Sequence, residues 1–220
     1  MTQQSETAPT NYWQMSGSSR RPVNQTLGQS TVNLMADAEK LLETIWQLMT
    51  DAATPPGNGL TLMNIATIGR NGGPRARSVI LRDFARSPER LGFATHASSA
   101  KVAEIRSNSA VAATCYDRKR SLQLRFEGTA EIIADDAERW RAWQLLAPHS
   151  RQQYVSLATP GRELTTHDPR EDDVSTAFQR FAWISVQLRH LEWLDLSTDP
   201  HTRWQFELIN NGWSCQRVIP

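Results

Sequence analysis

The chain has 220 residues, long enough for one domain with a sizeable core. Lysine and arginine total 24 against 23 aspartates and glutamates, so a net charge of +1 offers no broad electrostatic footprint for nucleic acid or an anionic membrane. Hydrophobic residues make up 39% of the chain, and no apolar run approaches the roughly 20 residues that span a bilayer.

Residues 1–29, rich in Ser, Thr, Gln, Asn and Pro, read as a flexible arm ahead of a single domain over residues 30–220. The opening MTQQSETAPTNYWQMSGSSRRP lacks the apolar centre of a secretory signal. Cys115 and Cys215 form no CxxC pair and read as free thiols of a reducing compartment, with the cytoplasm as the default.

From Asn33 to Ala53 the apolar residues Leu34, Ala38, Leu41, Leu42, Ile45, Trp46 and Met49 recur at three and four. That spacing predicts an amphipathic helix, ended by TPPGNG. Two β-like runs then flank Asn71-Gly72-Gly73-Pro74 as a hairpin, and RLGFATH supplies a third strand. Ser98 or Ser99 is placed to cap a short helix, SSAKVAEIRS. AVAATCYD and SLQLRFEGTAEII form another strand pair, and Asp135 with Glu138 makes a capping box for the helix DDAERWRAWQLLA. A helix to Leu157 and the loop TPGRELTTHDPREDD follow. The long strand FQRFAWISVQLRHLEWLDL comes next, then a hairpin of RWQFELI and WSCQRVIP about the turn NNG. Strands in hairpins with a few helices predict an antiparallel barrel or sandwich, mostly β and decorated by helices.

The chain lacks GxGxxG after a strand, GxxxxGK[ST], GxSxG and HExxH. Its histidines, at 96, 149, 167, 190 and 201, never fall at metal-ligand spacing, so no metal site is expected. What remains is a spread set of anion-binding groups. Arg77 and Arg82 lie on one strand, five positions apart and hence on opposite faces. Ser98, Ser99 and Lys101 lie at a helix start, where unpaired N–H groups and the helix dipole favour a phosphate.

In that order and separation these residues resemble the pyridoxamine 5'-phosphate oxidase superfamily. Its R-x-V-x-L-[KR] strand reads RSVILR here, Arg77–Arg82. Its [FY]-x-T-[NH]-x-x-S-x-K segment reads FATHASSAK, with Phe93, Thr95, His96, Ser99 and Lys101. Its R-Q-V-R-V-E-G reads LQLRFEG, keeping Gln123, Arg125, Glu127 and Gly128. The end matches too, with Trp193 in LEWLDL, then Arg203 and the closing WSCQRVIP. The resemblance implies a six-stranded antiparallel split β-barrel that binds FMN at the interface of a homodimer and oxidises or reduces a small molecule. It implies that Arg77 and Lys101 reach the FMN phosphate beside Ser99. Arg82 and the backbone of Val79 and Ile80 would lie along the flavin's pyrimidine edge, with Thr95 completing that side and Ser78 and His96 adjoining. Gln123, Trp193 and Arg203 would come from the other subunit.

Three departures bear on function. Ala94 replaces an aromatic residue, Ala100 replaces a phosphate-binding arginine, and Asp199 stands where the oxidases present an arginine ahead of the histidine at 201. An anion where a substrate phosphate would sit disfavours pyridoxamine phosphate and points to a divergent branch, with His201 as the substrate-facing candidate. Two other readings keep the same barrel. One is a true pyridoxamine-phosphate oxidase using Arg203, His201 and Arg151, and the other a non-catalytic flavin or haem module. An RNA-binding hairpin using Arg70, Arg75 and Arg77 conflicts with the near-neutral charge.

Overall fold

The computed structural model describes residues 23–163 and 174–220. The chain divides after Asp37, and the body runs from Ala38 to Pro220. Its strands are β1 (Leu62–Ile68), β2 (Pro74–Arg86), β3 (Glu89–His96), β4 (Ala110–Asp117), β5 (Leu122–Ile132), β6 (Phe181–Asp195), β7 (Thr202–Ile209) and β8 (Gly212–Val218). They pair antiparallel in the order β3-β2-β1-β4-β5-β6-β7-β8. β3 pairs with β6 as well, from Arg90↔Gln187 to His96↔Phe181, and this closes the first six strands into a barrel. The implied six-stranded barrel is the one observed, with β7 and β8 continuing the sheet beyond β6.

The pleat explains which residues go inside. Met63, Ile65 and Thr67 on β1, and Val79 and Leu81 on β2, point inward and are buried, while their neighbours face out. Phe181–Val186 breaks the alternation and is buried throughout, because its two faces meet two different cores. One is the barrel interior with Phe93, Leu124, Phe126 and Ile184, covered by Ile45, Trp46 and Met49 of helix α1 (Val23–Ala53). The other is an aromatic cluster of Trp143 from α3 (Asp136–Leu145) with Tyr154, Phe181 and Trp183.

Gly128 marks a register shift where β5 and β6 approach too closely for a side chain. A Cβ there would lie 2.1 Å from the Gln187 carbonyl oxygen, a backbone atom that cannot swing away. Gly128→Ala is therefore expected to destabilise the protein by about 3 kcal/mol, lowering the thermal midpoint by roughly 6–12 °C. Thermal unfolding followed by circular dichroism checks this, and an unchanged midpoint would show that the strands part easily.

Several elements depart from the sequence reading. Helix α1 begins at Val23, ten residues before the apolar periodicity, because VNQTLGQSTV carries too few apolar residues to show a period. The stretch expected as a helix to Leu157 is a single turn, α4 (Pro148–Arg151), followed by a 3₁₀ turn over Gln152–Tyr154. Ser99 does occupy the N-cap of α2 (Ala100–Ser107), but its hydroxyl makes no capping bond and faces Thr95 instead. The Asp135 cap forms as read, with its carboxylate accepting the Glu138 N–H. The NNG turn also forms as read, with Asn210 and Asn211 at φ 49° and 65°. Both cysteines are free. His167 and most of the loop before β6 lie outside the described residues.

Candidate functional site

Barrel closure gathers the first set of predicted residues at one rim. Lys101 Nζ donates to Thr95 Oγ1 at 2.8 Å, and Thr95 Oγ1 lies 3.2 Å from Ser99 Oγ. Thr95 comes from the end of β3 and the other two from the first turn of α2, so the tight connection after His96 holds them together. Arg77, on the inward face of β2, donates to Thr67 Oγ1 at 2.5 Å and to Glu104 Oε2 at 2.6 Å. Thr67 donates to the same carboxylate oxygen at 2.6 Å. Arg77 and Lys101 are close enough to repel. Burial, then the Arg77 charge, lowers the Lys101 pKa, opposed by Glu104. Burial pushes the Glu104 carboxyl upward, but hydrogen bonds from Thr67 and Arg77 and the charges of Arg77 and Arg75 outweigh it and leave the carboxyl below its ordinary value.

The remaining positions on β2 divide by the pleat. Val79 is buried in the barrel, while Ser78, Ile80 and Arg82 face out. A bulge between Leu81 and Asp83 displaces Arg82, whose charge reaches Tyr154. His96 stacks on Tyr154, with centroids 6.4 Å apart and planes within 7°, and its Nδ1 accepts the Ser98 N–H at 3.1 Å. Burial lowers the His96 pKa, with the Ser156 backbone opposing and Arg180 and Lys101 reinforcing, so the ring stays neutral at pH 7.

The second set lies elsewhere on the same chain. Gln123 and Arg203 flank Leu194 in one row on the outer face of β5, β6 and β7. Trp193 alternates to the opposite face, partly buried against the barrel core, so it does not share that row. One row along, Glu192 accepts from Arg203 at 2.8 Å, Gln205 at 2.9 Å and Arg125 at 3.2 Å, with His190 Nε2 at 3.4 Å. The Arg203 Nε is buried without a hydrogen-bond partner. Burial raises the Glu192 carboxyl, but Gln205, Arg203, Arg125 and His190 together bring it below its ordinary value. His201 is exposed, and its Nδ1 lies 2.9 Å from the Thr198 carbonyl oxygen, to which it donates. Among the described residues, no hydrogen bond or ion pair connects this set with the Arg77–Lys101 rim.

Glu104, Thr67 and Glu192 are the site residues that sequence reasoning missed. Thr67 left a signal, a polar side chain on the inward face of an apolar strand. Glu192 left one too, an acid inside LEWLDL. Glu104 left none, since an acid three positions after Lys101 reads as a solvated helix face. A cleft of about 610 Å³ between the C-terminal end of α2 and the start of β6 holds none of the predicted site residues.

A closed six-strand antiparallel barrel with arginine, lysine and hydroxyl donors near one rim defines a split barrel with a rim of anion-binding character. Residues 43–134 match the family described as pyridoxamine 5'-phosphate oxidase, FMN-binding domain. The chain is 25% identical over 174 residues to pyridoxine/pyridoxamine 5'-phosphate oxidase 2 of Arabidopsis thaliana, covering 72% of this chain and 86% of that one. It is 29% identical over 168 residues to the pyridoxine/pyridoxamine 5'-phosphate oxidase of Leptospira biflexa, covering 72% and 78%. Its fold matches a pyridoxamine 5'-phosphate oxidase-related, FMN-binding protein of Nostoc punctiforme at a TM-score of 0.65 and 23% identity, over 81% of this chain and 96% of that one. It matches PhzG of Burkholderia lata, solved with tetrahydrophenazine-1-carboxylic acid, at 0.64 and 18%, over 83% and 92%. These likenesses tie residues 43–134 to the FMN-binding domain of pyridoxamine 5'-phosphate oxidases, and FMN is the cofactor of that domain. Lys101 fits that cofactor's phosphate: its hydrogen-bond partner is a hydroxyl and the Arg77 charge repels it, whereas Arg77 itself is already met by Glu104.

Proposed function

We propose that this protein is a dimeric FMN-dependent oxidoreductase acting on a small molecule other than pyridoxamine phosphate. The observation that carries the reading is that, among the described residues, no hydrogen bond or ion pair connects the Arg77–Lys101 rim with Gln123 and Arg203. Arg77, Thr95, Ser99 and Lys101 hold the phosphate, with Ser78, Val79, Ile80 and Arg82 along β2 and His96 beside them. Gln123, Trp193 and Arg203 reach the flavin from the other copy. Support for a second copy comes from the outer sheet face, where Leu62, Ile80 and Tyr116 are 55%, 37% and 47% exposed. FMN supplies the electron-carrying chemistry, and the chain supplies orientation and positive charge beside the ring.

Three features turn the reading away from a phosphorylated pyridoxamine. Asp199 brings negative charge next to His201. The Arg203 charge is already met by Glu192 at 2.8 Å. Arg151 lies over Trp143, 5.7 Å from the ring centroid, and donates to the Gln144 carbonyl, so it is committed to the preceding helix α3. Free thiols at Cys115 and Cys215 agree with a cytoplasmic location. Among the described residues, no helix is long and apolar enough to cross a membrane.

Mixed dimers test the reading. Arg77→Ala and Arg203→Ala homodimers are each expected to lose most FMN binding, whereas co-refolded mixtures should regain one intact site per heterodimer. Mixtures that bind no more flavin than either parent would place both half-sites in one subunit. Turnover of pyridoxine or pyridoxamine phosphate with oxygen would instead assign the activity named for the relatives.

A further inference from the structure

Charge at the phosphate rim does not balance on the predicted residues alone. Glu104 is buried, with its carboxyl held below the ordinary value, so at neutral pH it is ionised and cancels one cation. Arg77 is that cation, with its guanidinium committed to Glu104 Oε2 and Thr67 Oγ1. Lys101 then stands as a single net positive charge facing a phosphate of about −1.5 to −2 at pH 7. The side chain that would have made up the difference is missing, because position 100 is alanine.

Arg75 lies on the same inward-pointing row of β2 as Arg77, paired opposite Thr67. A cleft of about 480 Å³ at the start of α2 is lined by Arg75, Ser98, Ser99, Ala100 and Thr159. Room for the guanidinium is built into the neighbouring strand end, since a Cβ on Gly69 would come within 2.9 Å of the Arg75 Nε. Its ion-pair partner among the described residues is Glu104, at the loose distance of 3.7 Å. Its side chain is 59% exposed, so a ligand in the cleft meets it without breaking a tight contact.

We infer that Arg75 is a phosphate ligand of the flavin site and stands in for the side chain that Ala100 lacks. Arg75, Arg77 and Lys101 against Glu104 leave a net charge of two facing a phosphate dianion, and Arg70, which lines the same cleft, adds a further cation. The inference rests on the FMN reading above, and on this account the cofactor's phosphate enters from the cleft side, between β2 and the first turn of α2.

The test is the ratio of riboflavin to FMN dissociation constants, read by flavin fluorescence quenching. It is measured on the wild-type protein, Arg75→Ala, Arg75→Gln and the double variant Arg75→Ala/Ala100→Arg. Both single variants are expected to reduce the preference for FMN about tenfold with riboflavin affinity unchanged, as loss of one charge-assisted contact requires. The double variant is expected to restore most of that preference. A wild-type preference that survives both single substitutions overturns the inference, as does a loss that arginine at position 100 fails to restore. Parallel loss of riboflavin binding would also overturn it, by showing that Arg75 acts through the fold. A wild-type protein without any preference for FMN would instead refute the phosphate-end assignment of Arg77 and Lys101 itself.

Discussion

Arg77→Ala is expected to lower stability by about 3 kcal/mol and to abolish most discrimination between FMN and riboflavin. Removing the guanidinium strips the buried Glu104 carboxylate of its closest cation and leaves Thr67 as its remaining short hydrogen bond. Breaking one side of a buried ion pair costs more than the pair is worth, because the surviving charge stays desolvated. The two effects can be separated. In Arg77→Met/Glu104→Leu both partners become apolar, so stability should return to near the wild-type value while phosphate recognition stays lost. Denaturant unfolding with parallel flavin titrations checks both halves. A single variant as stable as wild type would mean that water reaches Glu104 freely.

The second large effect is expected at the opposite half-site. Glu192 gathers Arg203, Arg125, Gln205 and His190, and its side chain is 10% exposed. Glu192→Gln removes the charge that both arginines face and should destabilise the protein by about 2 kcal/mol at neutral pH. The sign of the pH dependence follows from its lowered pKa. A carboxyl held below its unfolded value adds stability that is complete above that value and is lost as pH falls through the folded one. The gap between wild type and variant should therefore narrow on acidification below about pH 4, near the usual range of a glutamate. A gap that stays constant from pH 7 to pH 3 would show that Glu192 acts through shape rather than charge. Because Arg203 is held by this carboxylate, the same variant should also alter flavin affinity in the mixed-dimer experiment.

Much of this was legible in the chain. Period-two alternation and turn residues such as Asn71-Gly72-Gly73 and Asn210-Asn211 encode strands and hairpins locally, and the hairpins formed where they were read. The donors along Arg77–Arg82 and Thr95–Lys101 were readable as residue types, and the fold brings Thr95, Ser99 and Lys101 together near Arg77. Apolar periodicity misplaced the start of α1, since Val23, Leu27 and Val32 are too few and too unevenly spaced along the sequence to mark a helical period.

Tertiary structure alone decided the rest. Closure of the barrel through β3 and β6 joins positions about ninety residues apart, as in Phe93↔Ile184, and no local pattern specifies such a pairing. The fold seats α2 against β1 and β5, turning Glu104 from an ordinary helix-face acid into the buried counter-charge of Arg77. It also carries Gln123 and Arg203 away from the Arg77 rim. A charge's role depends on what surrounds it in space, and the order of residues along the chain leaves that environment unstated.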